Sequence, residues 1–284
     1  MAGSPAGGHA NQGDVVNKTI AGVGLALLAC CTGLHADEVG ALDRWNVAVG
    51  GYALNLDARL RVDGDLRGHE FDLSGDLGLD RNRDVGLFSL GWRPFERHQF
   101  DMSHYRDELS NTRILDRQIT VDDETFTIGA RLDSRFDNEV YDFTYTWWLQ
   151  AAPRQAFGLN VGLVGYLIDL DLRAESTASG VVIERSASAS VDLPAPKIGV
   201  SYRRAFGDGW RFTASGSTFE TSVGDIDARV LDARAGIEYY PFSRAGVRLQ
   251  YSINRINAEL DDPDFHGRAR LGFSGLQLQL VGRF

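Results

Sequence analysis

Charged side chains stand at every second position of several apolar segments, and they are the main candidates for chemistry in this sequence. In residues 54–62, for example, Asp57, Arg59 and Arg61 alternate with leucine, alanine and valine. A period of two places these side chains on one face of a β-strand. If the apolar face, with Leu54 and Leu56, meets lipid, the charged face lines the interior of a closed sheet, where Arg pairs with carboxylates through two parallel hydrogen bonds. The same reasoning predicts an interior charge ladder of Asp57, Arg59, Arg61, Asp142, Asp169, Asp171, Arg173, Arg211, Asp232, Arg234, Glu238, Arg248 and Arg283.

Histidines beside carboxylates are the second set of candidates, since a base oriented by a carboxylate is a common hydrolytic arrangement. His69 lies near Asp72, and His266 follows Asp264, but acidic loops bring a carboxylate near almost any histidine by chance. Ser103 beside His104 is no better a pair. We therefore do not expect an enzyme. A hydrolase that uses His69 or His266 at the outer rim is an alternative.

Composition excludes several classes of function. The chain has 29 Lys and Arg against 39 Asp and Glu, and its net charge of −10 argues against a nucleic-acid partner. The only cysteines are Cys30 and Cys31, which excludes a disulfide scaffold, a cysteine zinc site and a cysteine nucleophile from the rest of the chain. No glycine-rich phosphate loop or dinucleotide fingerprint occurs, so no cofactor is expected. Acidic clusters, such as 122–124 and 261–264, could hold Ca²⁺, but they lack an ordered calcium-loop spacing. We interpret them as solvated loop charge and predict no metal.

The N-terminus has the features of an export signal. Lys18 precedes the apolar run Ile20–Cys31, which as a helix spans about 18 Å and is too short for a hydrocarbon layer of about 30 Å. A basic residue, a short apolar core and a small-residue exit are typical of a secretory signal, with cleavage after Ala36. Alternatively, Leu27–Cys30 resembles a lipoprotein cleavage box with Cys30 lipidated, or the run is a buried helix. We therefore divide the chain into an extension and cleaved signal (1–36) and one domain (37–284).

After Ala36 the chain alternates apolar and polar residues, which predicts an all-β fold. A soluble sandwich also alternates, but three features favour a membrane barrel. Several segments run about 15 residues or more, whereas soluble strands usually have 5–6. The chain ends on Phe284, preceded by apolar residues at every second position except Gly282. Aromatic residues gather near segment ends, as in an interfacial girdle formed by Trp45, Trp92, Trp147, Trp148, Trp210, Tyr239 and Tyr240.

Turn chemistry sets the number of strands. Short connectors with Pro or Gly occur at 94–98, 151–155, 207–209 and 241–245, and longer polar stretches separate them. Four short turns and five long loops join ten strands of an antiparallel up-and-down barrel, with the short turns in the periplasm. Eight or twelve strands are alternatives, because the alternation slips at 50–51, 163–164 and 254–255, which we interpret as bulges. The long loops are expected at 63–83, 111–124, 174–188, 222–227 and 261–268, with 114–128 forming a projecting hairpin.

Over residues 44–284 the chain resembles the outer-membrane β-barrel superfamily. It is also similar to a group of proteobacterial barrels that carry a stretch like Phe71–Asp80 (FDLSGDLGLD) after the first strand. The resemblance implies the bacterial outer membrane as location, and recognition of the terminal strand with Phe284 by the barrel-assembly machinery. It implies no particular reaction.

A ten-stranded barrel is narrow, so the charge ladder is expected mainly to fill and brace its interior. We predict a monomer with a structural or surface-binding role, which binds lipopolysaccharide or an external ligand through rim arginines and loops. A narrow pore for small polar solutes, a proton or ligand relay, and the rim hydrolase are the alternatives.

Overall fold

The regular structure among the described residues of this chain is entirely β. The computed structural model describes residues 39–284 except 64–68, 73–81, 116–118, 122–123, 127, 179–180, 224–225 and 263–264. None of the described residues forms a helix with the length and apolar character needed to cross a membrane. The strands are β1 (Trp45–Asp63), β2 (His69–Asp72), β3 (Asn82–Phe95), β4 (His98–Ile114), β5 (Ile119–Val121), β6 (Glu124–Phe126), β7 (Arg131–Ala151), β8 (Gln155–Ala178), β9 (Val181–Phe206), β10 (Trp210–Val223), β11 (Ile226–Tyr239), β12 (Ala245–Asp262) and β13 (Phe265–Arg283).

Ten of these strands, each between 14 and 26 residues long, close into one antiparallel barrel. Each long strand pairs with the next one along the chain, and β13 pairs with β1 from Asn46 to Asp63 to complete the ring. The short strand β2 adds to the end of β1, while β5 and β6 form a separate hairpin. The predicted ten-stranded up-and-down barrel is confirmed.

Short turns gather at one end of the barrel, which we call the periplasmic end. They join β3 to β4, β7 to β8, β9 to β10 and β11 to β12, at the predicted connectors. Gly207 and Gly209 have φ angles of 56° and 86°, in the left-handed region that favours glycine. Phe284 lies at the same end, since its backbone exchanges two hydrogen bonds of 2.9 Å with Trp45.

An apolar belt surrounds the half of the barrel next to the periplasmic end. Its side chains point outward, and large ones such as Ile198 (62% exposed) and Leu278 (59% exposed) pack against no second sheet. On β1 the outer face becomes polar at Asn55, ten positions after Trp45, which matches the roughly 9–11 residues of a transmembrane strand. Five of the seven predicted girdle residues lie at the periplasmic edge of the belt and are between 39% and 44% exposed: Trp45, Trp92, Trp147, Trp210 and Tyr239. The prediction is wrong for Trp148 and Tyr240, which point into the barrel and are at most 1% exposed.

Beyond the belt the two faces of each strand exchange polarity. In β8, Leu159 and Leu163 are exposed on the outer face, whereas further along Leu170 and Leu172 are buried inside and Asp171 is exposed outside. The strands are longer than the membrane is thick, so their far halves stand in water. In water the free energy is lower when the apolar side chains face inward and the charged side chains face outward.

This exchange corrects part of the predicted charge ladder. Leu54 and Leu56, expected to face lipid, are 1% and 5% exposed and belong to an interior apolar cluster. The predictions that Asp57, Asp169, Asp171 and Arg173 line the interior are wrong, because all four are exposed on the outer face above the belt. The side chains of Arg59 and Arg61 lie outside the described residues.

The slips in alternation are not bulges, contrary to the sequence interpretation. The pairing register runs without a shift through Gly50–Gly51, Leu163–Val164 and Asn254–Arg255. Each slip lies where the inner face gains its first large apolar side chain, which is Tyr52 on β1, Val164 on β8 and Ile256 on β12, all of them buried. Register shifts occur instead near the periplasmic turns, between Trp92 and Phe95 and between Trp148 and Gln150.

Three of the five connections at the other, extracellular end are much shorter than predicted, because β8 to β13 continue through the polar stretches. The expected loop at 174–188 is largely strand, since β8 runs to Ala178 and β9 starts at Val181. The expected hairpin within 114–128 is present as β5 and β6, with Val121 opposite Glu124. The signal sequence and most of the 71–80 stretch lie outside the described residues.

The exchange of faces gives the extracellular half of the barrel an apolar core. Its members come from many of the long strands and include Leu54, Leu132, Phe136, Leu172 and Phe273, each at most 2% exposed. Burial of large side chains at this density leaves few voids as large as a water molecule. The described residues of the extracellular half therefore pack its interior with their own side chains.

We predict that Leu172→Asp lowers the free energy of unfolding by about 3 kcal/mol or more, because it buries an unpaired carboxylate in the apolar core. Asp171→Leu, one residue away on the outer face, should change it by only about 0.5 kcal/mol. Equilibrium unfolding in urea, with the barrel in lipid vesicles and followed by tryptophan fluorescence, measures both. The opposite order of effects would contradict the exchange of faces.

Candidate functional site

A polar chamber lies inside the membrane-spanning half of the barrel, below the apolar core. Its volume is about 170 Å³, and its wall combines hydroxyl, amide and charged side chains. A water molecule needs roughly 10–15 Å³ of such space, so the chamber has room for several. The charged groups of its wall are Asp101, Asp142, Lys197, Arg203, Asp232, Arg234, Glu238 and Arg248.

Asp142 is the centre of the upper charge network. The Lys197 ammonium donates to its two carboxylate oxygens at 2.7 and 2.8 Å, and both side chains are 6% exposed. The Arg234 guanidinium, which comes from the far side of the barrel on β11, also donates to Asp142 and reaches Asp232 at 3.2 Å. The network thus joins β7, β9 and β11 across the interior.

Glu238 holds the lower network together. One of its carboxylate oxygens accepts from Arg211 Nε and the other from Arg248 Nε, each at 2.6 Å. The Tyr240 hydroxyl donates to Glu238 at 2.8 Å, and Arg248 Nη1 donates to Gln279 at 3.2 Å. Glu238 and Arg211 are each 1% exposed, so these charges depend on each other rather than on water.

A third group lies between these two networks. The Gln99 amide donates to both oxygens of Asp101 at 2.7 and 2.9 Å and accepts from Trp148 Nε1 at 3.1 Å. Arg203 stands 4.0 Å from Asp101 and 5.4 Å above the Trp148 ring, a cation–π arrangement. The Trp148 ring therefore helps to stabilise the Arg203 cation, for which Asp101 is only a distant ion-pair partner.

Tyrosines form the roof of the chamber where it meets the apolar core. Ser252 donates to the Tyr52 hydroxyl at 2.9 Å, and the Asn254 amide donates to the Tyr166 hydroxyl at 2.7 Å. The Tyr52 ring meets Tyr105 edge-on at 5.6 Å. Each ring presents its apolar body to the core and its hydroxyl end to polar partners.

One carboxylate is buried in the extracellular core, above the chamber. Asp107 is 2% exposed, its Oδ2 has no hydrogen-bond partner, and Arg83 Nε lies 3.8 Å from Oδ1. Burial raises the pKa of the Asp107 carboxyl, and the Arg83 charge opposes that rise. Asn138, opposite Asp107 on β7, also has unpaired amide atoms. These groups interrupt the apolar core without connecting to the paired networks below.

The structure brings together about half of the predicted ladder. The residues that meet in the interior are Asp142, Arg211, Asp232, Arg234, Glu238 and Arg248, with Arg283 close to the periplasmic mouth. The sequence analysis missed Asp101, Lys197 and Arg203. Lys197 follows Pro194 and Pro196, which argue against a strand, and Arg203 precedes Arg204, so that alternation could not say which faces inward. Lys197 is one of only two lysines in the chain, and this rarity could have indicated a special position for it.

The outer face of β4 and β7 carries a second charged group, just above the apolar belt. Arg106 lies 2.9 Å from Glu108 and 3.4 Å from Asp137, and Arg135 lies 3.3 Å from Asp137. The carboxylates of Glu108 and Asp137 raise the pKa of Arg106, which keeps it charged. Arg106 and Arg135 are 49% and 56% exposed. We call Arg106, Glu108, Arg135 and Asp137 the outer charge cluster.

The histidines do not assemble a hydrolytic site among the described side chains. His104 contacts Glu139 at 2.8 Å on the outer face, whereas its neighbour Ser103 lines the interior chamber. The side chains of His69 and His266 lie outside the described residues. Nor does any group of three or more His, Cys, Asp or Glu within the described part of the chain have the arrangement of a metal site.

We predict that Asp142→Asn lowers the free energy of unfolding by about 3 kcal/mol, because it leaves the buried Lys197 ammonium without a carboxylate. Adding Lys197→Met removes the stranded charge, so the double variant should be more stable than Asp142→Asn alone. A urea-unfolding double-mutant cycle measures this coupling. The control is Asp133→Asn, an exposed member of a surface ion pair with Arg131, with an expected loss below about 0.5 kcal/mol. Additive effects at 142 and 197 would contradict the coupling.

Several solved structures are similar to this chain. The outer membrane protease OmpT from Escherichia coli matches with a TM-score of 0.54 at 13% identity, over 84% of this chain and 96% of that one. The translocator domain of the autotransporter NalP from Neisseria meningitidis matches with a TM-score of 0.43 at 14% identity, over 92% and 97%. The P. putida toluene transporter TodX matches with a TM-score of 0.36 at 10% identity, over 86% and 91%.

No protein-family model matches the chain, and no curated protein matches its sequence. At 13% identity the OmpT likeness shows the fold alone. The barrel also has a closed ring of ten strands, an outward apolar belt as wide as a bilayer core and an aromatic girdle at the edge of that belt. The chain is an outer-membrane β-barrel, located in the bacterial outer membrane.

Proposed function

We propose that this protein is a closed barrel that works through its outer surface, where it binds the phosphate groups of lipopolysaccharide, and that it does not conduct solutes. The observation that carries the proposal is the apolar core of the extracellular half. A solute that entered from outside would have to displace side chains such as Phe136, Leu172 and Phe273, which are each at most 2% exposed.

The charges of the interior support closure as well. Asp142 binds Lys197 and Arg234 across the interior, whereas Glu238 binds Arg211 and Arg248 of its two neighbouring strands, each at 2.6 Å. Pairing stabilises charges that are removed from water, and an ion that passed through the barrel would have to break these pairs. In this proposal the interior charges brace the barrel, which is the role that the sequence analysis expects of them.

The outer charge cluster is the best-placed surface for a lipid headgroup. It stands directly above the belt, where the phosphates of the outer leaflet begin. Arg106 and Arg135 each expose about half of their side chain, and an arginine fork suits a phosphate better than a lysine does. The carboxylates of Glu108 and Asp137 hold both guanidinium groups in place on the wall of β4 and β7.

Closure predicts the absence of a channel. The purified full-length protein, inserted in a planar bilayer, should give no discrete current steps, because apolar side chains fill the extracellular half. A large porin added afterwards to the same bilayer serves as the positive control. Reproducible openings of one size would overturn the proposal in favour of the narrow pore.

The surface role predicts that Arg106→Gln with Arg135→Gln lowers lipopolysaccharide binding about tenfold, because two charge-assisted contacts with phosphate are lost. Titration of lipopolysaccharide into detergent-solubilised barrel measures the affinity. The matched control is Arg229→Gln, an equally exposed arginine paired with Glu220 on the wall of β10 and β11. Equal losses for both changes would show a general charge effect and contradict a site at the outer charge cluster.

A further inference from the structure

Residues 39–44, which precede the first strand, lie inside the periplasmic mouth of the barrel. Every second residue of this segment is buried: Val39 at 3%, Ala41 at 1% and Asp43 at 7% exposed. Arg44, the last residue before β1, is exposed again. Such alternation is typical of an extended peptide that buries one face against a surface. The segment nevertheless belongs to no strand of the barrel.

Two apolar clusters receive the segment. Val39 packs with Tyr240, Ala48 and Val281. Ala41 packs with Trp148 and Ala156, and its backbone N–H donates to the Pro153 carbonyl at 2.8 Å. The segment therefore reaches from β1 across to the turn between β7 and β8.

A buried carboxylate anchors the segment. Asp43 Oδ2 accepts from Arg211 Nη2 at 2.6 Å, and Arg283 Nη1 lies 3.6 Å from Asp43 Oδ1. Arg211 Nη1 also donates to the Gly40 carbonyl at 3.2 Å, so one guanidinium holds both a side chain and the backbone of the segment. Arg93 Nε donates to the Asp43 carbonyl at 3.1 Å from the neighbouring strand.

The site that holds Asp43 is built from barrel residues that are fixed independently of the segment. Arg211 is held from the chamber side by Glu238 at 2.6 Å, and the Tyr240 ring lies under both Arg211 and Arg283 at about 5 Å. With the segment in place, Arg211 has a carboxylate on each side. The mouth thus has the features of a peptide site: two apolar pockets and a desolvated arginine for an acidic side chain.

We propose that the periplasmic mouth is a binding site for an extended acidic peptide, that residues 39–44 occupy it as a plug latched by Asp43 on Arg211, and that release of the plug opens the chamber to the periplasm. The segment is held by side-chain packing, the Asp43 latch and a few backbone hydrogen bonds, without the continuous ladder that fixes each barrel strand. It can therefore open while the barrel stays folded.

Thiol labelling tests the plug, because the described part of the chain contains no cysteine. In the full-length chain with Cys30→Ser and Cys31→Ser, single variants Ala41→Cys, Ser215→Cys and Asp208→Cys report the plug, the chamber wall and an exposed periplasmic turn. A water-soluble thiol reagent should label Asp208→Cys fast and the other two slowly. If Ala41→Cys reacts as fast as Asp208→Cys, the plug does not exist.

Adding Asp43→Asn should raise the labelling rates of both Ala41→Cys and Ser215→Cys by at least about tenfold, because a buried hydrogen-bonded charge pair is lost. Asp43→Glu, which keeps the charge, should raise them less, and Asp171→Asn on the outer wall should leave them unchanged. Heat-modifiable mobility on gels verifies that each variant is a folded barrel. Unchanged labelling at Ser215→Cys in folded Asp43→Asn protein would overturn the proposal that the plug closes the chamber.

Discussion

The boundary between hydrocarbon and water is the constraint on which this structure depends. Each long strand crosses the lipid and then continues into water, so its outer face must be apolar in the first half and polar in the second. The inner face follows with the opposite polarity in both halves. Leu163, exposed to lipid, and Leu172, buried inside, lie on one strand and show that a single continuous β-ladder satisfies both surroundings.

The exchange of faces divides the interior into two parts, one stabilised by ion pairs and the other by apolar packing. In the membrane-spanning half, the inner face is polar and shielded from bulk water, so its charges must find partners across the barrel, as Asp142 does with Lys197 and Arg234. In the extracellular half the inner positions are mainly apolar and pack as in a soluble domain, apart from polar residues such as Asp107 and Asn138. A polar chamber roofed by tyrosines results, with this apolar core above it.

The closed barrel that we propose leaves its outer wall and its two ends for interaction with other molecules. On the wall, the outer charge cluster lies exposed just above the apolar belt, where we propose that it binds phosphate. At the periplasmic mouth, Arg211 receives the carboxylate of Asp43 on one side and that of Glu238 on the other, so the segment before β1 is joined to the network that braces the interior. One proposal concerns the outer wall and the other the periplasmic mouth, so either can fail without the other.

The sequence by itself determined the period of two, the ten strands and the short turns, because these depend on local alternation and on the chemistry of Pro and Gly. It also predicted aromatic residues at the end of the outer apolar faces, such as Trp45 and Trp210, but not that Trp148 and Tyr240 point inward. Only the tertiary structure decided which face of each strand points inward beyond the belt. Alternation separates the two faces of a strand but does not show which of them is the inner face. The pattern of Leu56 followed by Asp57 is therefore the same whether the outer face meets lipid or water. Pairings such as Lys197 with Asp142, and the docking of residues 39–44, depend on closure of the ring, which brings together side chains 55 to 168 positions apart.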